Sequence, residues 1–206
     1  MGENLADVLR LLLVTDEALL GNRDGVAVCA AAVRGGATAV QVRMKRAPDH
    51  EIVRFTRALM RAVSVPVIVN DRLDIALAAG ANGVHLGADD LSPALARRVV
   101  PKDFLIGASV GTPSEIDRGG PADYWGIGPL RITTTKRDAG EPLGIDGLAA
   151  VLAHAGGRPC VAIGGVRPED VIPLRASGFA GVAVVSGMLA SADAEAAARR
   201  YSSGAG

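Results

Sequence analysis

The sequence predicts an α/β fold, a single-domain (β/α)8 TIM barrel, and three observations lead there. In four places a helical pattern ends in a glycine-bearing junction and runs into an apolar strand: Arg34-Gly-Gly-Ala-Thr-Ala-Val-Gln-Val, Ala79-Gly-Ala-Asn-Gly-Val-His-Leu, Gly119-Gly-Pro-Ala-Asp-Tyr-Trp-Gly-Ile and Ser177-Gly-Phe-Ala-Gly-Val-Ala-Val. Glycine suits the left-handed residue that ends a helix, and the apolar run after it suits a strand buried on both faces. The junctions recur at roughly 40 to 60 residues, the length of two βα units, so each repeat holds one further strand. Those strands are read at Leu11–Thr15, Val65–Val69, Phe104–Gly107 and Pro159–Ile163. Glycine and proline cluster at strand-to-helix junctions, as in Gly126-Ile-Gly-Pro129 and Gly164-Gly165, and nowhere form a linker between two cores. A closed barrel of about 200 residues fits this pattern better than an open doubly wound sheet.

Taken in order, the elements fill one domain over residues 1–206, with the barrel core at about 11–190. Helices are expected to start at Ser92-Pro93, where serine caps and proline occupies the first turn. Another start is expected at Arg167-Pro168-Glu169-Asp170, with acids near the positive end of the helix dipole. The tail Ser202-Ser-Gly-Ala-Gly is small and polar and is expected to fray over 202–206.

Hydrophobic residues make up 49% of the chain and charged residues 21%, enough apolar material for a packed core. The formal charge is zero, so no basic surplus points to nucleic acid and no polybasic segment to a membrane surface. The first residues lack an apolar signal core, Ala6 breaks the myristoylation pattern, and no apolar run approaches the ~18 residues of a membrane span. Cys29 falls in a helical pattern and Cys160 in an apolar strand, the usual places of reduced, buried thiols; a cytoplasmic protein is expected.

Parallel strands of such a fold point their C-terminal ends to one face, so polar residues directly after each strand converge there. After the second strand, Gln41, Arg43 and Lys45 alternate and point the same way, which suits a phosphate or pyrophosphate better than an apolar core. The next two strands end in Asn70-Asp71 and in Gly87-Ala-Asp-Asp90. Acids at neighbouring strand ends repel unless a cation lies between them, so Asp71 and Asp90 suit a shared Mg²⁺ completed by phosphate oxygens. His85 alternates with Val84 and Leu86 and reads as a structural, hydrogen-bonded histidine before a catalytic base. Ser109 offers a hydroxyl at the mouth, but no nucleophile-elbow context surrounds it. After the sixth strand, Thr133, Thr135 and Lys136 lie between glycines in an expected anion-binding loop able to close as a lid. Gly164-Gly165 and Val184-Val-Ser-Gly187 end the last two strands, where barrels of this kind often bind a phosphate. A second anion site apart from the first would mean two phosphorylated substrates.

Read together, Leu13-Val-Thr-Asp16, Gly35-Gly-Ala-Thr-x-Val-Gln-x-Arg-x-Lys45, Val69-Asn-Asp-Arg72, Gly83-Val-His-Leu-Gly-x-x-Asp90, Gly128-Pro129 with Thr133-x-Thr-Lys136, and Ala162-Ile-Gly-Gly165 resemble the thiamine phosphate synthase family. The resemblance runs from about residue 11 to 190 and recurs at nearly every strand end in the same order. It implies a transferase that condenses hydroxymethylpyrimidine diphosphate with hydroxyethylthiazole phosphate, releasing pyrophosphate and forming thiamine phosphate. By the same resemblance Asp71 and Asp90 would bind Mg²⁺, and Arg43, Lys45, Asn70 and Lys136 would hold the diphosphate. Gln41 would contact the aminopyrimidine, and Ser109 would donate to the leaving pyrophosphate beside Lys136. Thr133, Thr135, Gly165, Val185 and Ser186 would line the thiazole phosphate site. The family also implies a homodimer.

Three departures stand out: Met44 replaces the glutamate usual between Arg43 and Lys45, Gly111 replaces a common histidine, and Arg131-Ile132 replaces an aromatic-proline pair. A sister family, the thiazole tautomerase, uses a histidine at the position of Gly111 for proton transfer and lacks the metal-site aspartates; Val184-Val-Ser-Gly-Met and Ala197-Ala-Arg-Arg-Tyr201 are similar to it. Competing readings are therefore that tautomerase, a Schiff-base aldolase using Lys45 or Lys136, and a non-catalytic phosphate-binding barrel.

Overall fold

The computed structural model describes residues 4–133 and 140–204. Eight parallel strands close a barrel in sequence order: β1 (Leu11–Val14), β2 (Ala39–Val42), β3 (Val67–Asn70), β4 (Gly83–Leu86), β5 (Leu105–Val110), β6 (Tyr124–Ile127), β7 (Cys160–Ala162) and β8 (Gly181–Val184). Its seam is the β1–β8 pairing, with Leu12 opposite Ala183. The open doubly wound sheet is thereby excluded, because closure leaves no strand edge.

Helices in chain order are α1 (Leu5–Val8), α2 (Glu17–Leu20), α3 (Gly25–Arg34), α4 (Asp49–Ala62), α5 (Leu73–Ala79), α6 (Pro93–Arg97), α7 (Pro113–Gly119), α8 (Gly144–Leu152), α9 (Val171–Ala176), α10 (Ser186–Leu189) and α11 (Ala194–Ser203). Ser92 caps α6 through the Leu95 N–H with proline at the first turn, as its sequence predicts. The start expected at Pro168 is a 3₁₀ turn over Pro168–Asp170 that leads into α9. Ser202 and Ser203 close α11 and Gly204 ends it in the left-handed conformation, so helix persists beyond the point where fraying was expected. Cys29 and Cys160 are buried, and burial pushes the Cys29 thiol up to about 12 and the Cys160 thiol up to about 11.

Every strand is buried on both faces, and residue parity separates the two environments. Leu11, Leu13, Val40, Val42, Val84, Leu86, Ile106 and Trp125 belong to the core cluster between strands and helices. Leu12, Val14, Ala39, Ile68, Tyr124, Val161 and Ala183 belong to a second cluster inside the barrel. Inner parity continues upward through Gln41, Asn70, His85 and Ser109, in line with the register that pairs Gln41 with Ile68, Asn70 with His85, and His85 with Gly107. The barrel interior therefore changes from apolar to polar towards the C-terminal ends of the strands. No helix among the described residues is long and apolar enough to cross a membrane.

Candidate active site

The polar end opens into a cavity of about 580 Å³, within the usual range for a small-molecule site. Its lining includes Gln41, Arg43, Lys45, Asn70, Asp71, Asp90, Ser109, Thr133, Gly165, Val185 and Ser186. The structure thus brings these sequence-predicted residues to one place. Thr135 and Lys136 lie outside the described residues.

On the β2–β4 side the wall is ionic. Lys45 Nζ lies 2.6 Å from Asp71 Oδ2, and Arg43 Nη1 lies 3.3 Å from Asp16 Oδ2. Asp71 has φ +64, a left-handed conformation that Asp and Asn tolerate better than most residues. Its N–H donates to the His85 carbonyl at 2.8 Å, which ties the end of β3 to β4. The Asp90 carboxylate folds back to accept from the Gly87 N–H at 2.6 Å. Arg118 of α7 holds the same loop by donating to the carbonyls of Gly87 and Asp90. Burial raises the Asp90 pKa above the ordinary carboxylate value; the nearby Asp71 adds to the rise, while the Gly87 N–H and Lys45 oppose it.

Asp71 adds to the proton affinity of Asp90, and a divalent cation between the two carboxylates would relieve that repulsion. Among the described residues no third His, Cys, Asp or Glu joins them. Mg²⁺ commonly takes one or two carboxylates and completes its shell with water and substrate phosphate, so the donor set fits that ion and leaves open positions.

Deeper in the cavity, His85 Nδ1 lies 3.1 Å from the Tyr124 hydroxyl and Nε2 lies 3.1 Å from Ser109 Oγ. The expectation of a hydrogen-bonded histidine matches this arrangement. Burial drives the Tyr124 phenol above its ordinary pKa, and the Gln41 amide offsets part of that rise, as a donor to the phenol oxygen would. The two contacts hold His85 at both ring nitrogens, whichever of them carries the proton. The Ser109 hydroxyl also lines the cavity.

The β6–β8 side is built from backbone and small side chains. Gly164 and Gly165 have φ of +91 and +66, and a Cβ on Gly164 would stand 2.5 Å from the Pro129 Cβ. Glycine there lets the loops after β6 and β7 lie directly on one another, with Leu130 N donating to Ile163 O and Arg131 N to Gly164 O, both at 2.9 Å. Gly111 is also fixed by contact: a Cβ there would lie 2.7 Å from the Gly128 carbonyl oxygen.

Three participants carry no site role in the sequence reading, although Asp16 falls within one of its motifs and Asp170 at one of its helix starts. Asp16 pairs with Arg43, Tyr124 anchors the buried polar string, and Asp170 takes a bidentate pair from Arg131. Tyr124 had a usable signal, since it shares inner parity with Gly126 on β6. Asp170 had none, because its partner lies 39 positions away on another loop.

The chain matches the family described as thiamine monophosphate synthase over residues 11–188. A thiamine-phosphate synthase of Azorhizobium caulinodans is 44% identical over 196 residues, covering 93% of this chain and 92% of that protein. Another, of Chloroflexus aurantiacus, is 46% identical over 197 residues, covering 93% of this chain and 90% of the relative. Among solved structures, a thiamine phosphate pyrophosphorylase from Pyrococcus furiosus superposes with a TM-score of 0.85 at 31% identity, covering 98% of this chain and 97% of that one.

Proposed function

Because the chain belongs to the thiamine monophosphate synthase family, transferases of thiamine biosynthesis, we propose that it joins hydroxymethylpyrimidine diphosphate to hydroxyethylthiazole phosphate, giving thiamine phosphate and pyrophosphate. The observation that carries this reading is one cavity with two unlike walls. The charged wall at Arg43, Lys45, Asp71 and Asp90 suits a diphosphate, and the glycine wall at Gly165, Val185 and Ser186 suits a monophosphate.

In the proposed reaction the pyrimidine carbon–oxygen bond breaks, pyrophosphate leaves with the electron pair, and the thiazole nitrogen donates its lone pair to the resulting carbocation. No proton is abstracted at the reacting atoms, so a general base is not needed. Mg²⁺ held by Asp71 and Asp90 would supply positive charge to the diphosphate. Arg43 and Lys45 add cationic donors beside it, and the Ser109 hydroxyl would donate a hydrogen bond to a departing oxygen. Gln41, in the cavity lining, offers its amide to the aminopyrimidine. Asn70 completes the diphosphate cradle, and Thr133 stands at the glycine wall. Lys136 and Thr135 keep the roles their sequence motif suggests. A homodimer in the cytoplasm completes the proposal.

The tautomerase reading loses support at Gly111, since a proton-transferring side chain there would meet the Gly128 carbonyl. An aldolase lysine needs desolvation to lose its proton, yet Lys45 is half exposed and paired with Asp71. The test is pyrophosphate release from the two precursors with Mg²⁺ and then with excess EDTA. Metal-dependent release with thiamine phosphate formed is the expected result. Absence of both products in both conditions would sink the proposal and favour a binding-only barrel.

A further inference from the structure

Arg131 stands where the resembled family has an aromatic residue, and both terminal nitrogens of its guanidinium are paired. Nη1 and Nη2 reach Asp170 Oδ2 and Oδ1 at 2.5 and 2.7 Å, and Nη1 also donates to the Gly165 carbonyl at 3.0 Å. Asp170 is buried and also accepts from the Arg167 N–H at 2.7 Å. From the other side Tyr201 of α11 donates to the Val166 carbonyl at 3.1 Å.

Four consecutive residues after β7 are thereby held at the backbone: the carbonyls of Gly164, Gly165 and Val166 and the N–H of Arg167. In a trans peptide the N–H points opposite its own carbonyl. Drawing the Gly164 and Gly165 carbonyls towards Arg131 therefore turns the Gly165 and Val166 N–H groups away from it. Among the described residues neither N–H has a protein acceptor, and both residues line the cavity.

We propose that Arg131 and Asp170 form a clasp that sets these two backbone donors for the thiazole phosphate, making both side chains positioning residues for that half of the site. The proposal rests on the reaction assigned above. The alternative role for Arg131, direct contact with phosphate, conflicts with its pairing: both carboxylate oxygens of a buried aspartate already occupy the fork.

The test is steady-state kinetics of the purified enzyme with each precursor varied in turn. Arg131→Gln and Asp170→Asn are each expected to raise KM for hydroxyethylthiazole phosphate about tenfold, with KM for the pyrimidine diphosphate changed by less than about twofold. The double variant should do no worse than either single one, because both remove the same clasp. Arg131→Lys keeps the charge but not the fork, and should recover only part of the loss.

If Arg131 touched the phosphate directly, Arg131→Gln would weaken binding while Asp170→Asn, by freeing the cation, would tighten it. That pattern, or an equal rise in both KM values, overturns the clasp. Should the wild-type enzyme form no thiamine phosphate, the assigned reaction falls and the clasp with it. A wild-type enzyme that turns over, with variants indistinguishable from it, overturns the clasp alone.

Discussion

Across the cavity mouth, the β2–β4 wall presents ionisable side chains, Arg43, Lys45, Asp71 and Asp90, whereas the β6–β8 wall presents glycine backbone beside Val185 and Ser186. The ionic wall is held by partners that a ligand can replace: Lys45 on Asp71, and the Gly87 N–H on Asp90. The backbone wall is held by contacts that leave no room for change, as at Gly164 against Pro129. Side-chain charge can respond to a diphosphate that arrives with a cation and departs as a leaving group. A preset backbone suits a phosphate that remains on the product. The contrast separates the half expected to govern turnover from the half expected to govern affinity.

The largest effect is expected on the ionic wall. Asp71→Asn keeps a residue that tolerates φ +64 while removing the charge, so the backbone is retained and the proposed metal ligand is lost. Turnover should fall about 10²- to 10³-fold, the scale of losing one electrostatic stabiliser, with circular dichroism unchanged. Stopped-time assays of pyrophosphate release read this directly. Full activity in that variant would remove the ionic wall from the chemistry.

A smaller effect tests the string between the walls. Tyr124→Phe leaves the buried Nδ1 of His85 without its hydroxyl partner, which should cost about 1 to 3 kcal/mol of stability. Chemical denaturation measures it, and a variant as stable as wild type would mean that His85 is held in some other way. On the backbone wall, Gly165→Ala places a Cβ 3.0 Å from the Arg131 Cβ at φ +66 and should cost about 1 kcal/mol or more. Its kinetic signature should be a raised KM for the thiazole phosphate with turnover nearly kept. A selective loss of turnover instead would erase the distinction between the walls.

How legible each wall was in the sequence follows from the same difference. Strand parity and strand-end position gave Gln41, Arg43, Asn70, Asp71 and Asp90, because a period of two and a common direction are local properties of the chain. The eightfold repeat of apolar runs likewise predicted closure, and the strand positions differ by only a few residues, as at β5, which extends to Val110. Glycine pairs marked the backbone wall but not its fastenings. Arg131–Asp170 and Tyr201–Val166 join residues far apart in sequence, and only the closed barrel brings them together. Arg43–Asp16 is of the same kind, and Gly111 read as a missing histidine until its contact with Gly128 showed why glycine stands there.

The smallest expected effect compares two carboxylate–guanidinium groups at different depths. Asp170 is held below its ordinary pKa by the Arg131 hydrogen bonds first, with the Arg167 N–H adding to the effect against burial. A depressed folded pKa contributes stability that is present above the unfolded value of about 3.9 and is lost as pH falls through the folded value. The gap in unfolding free energy between wild type and Asp170→Asn should therefore be full at neutral pH and close below about pH 4, with a size under about 1 kcal/mol because Arg131 is partly open to solvent. Arg72, clamped between Asp49 and Asp74 on the surface, likewise holds both acids below their ordinary pKa. Water and salt screen that exposed trio, so 1 M salt should abolish any stability difference for Asp74→Asn while leaving most of the Asp170 gap. If salt removes both gaps equally, Asp170 is no better shielded than the surface trio, and the backbone wall owes its position to glycine packing alone.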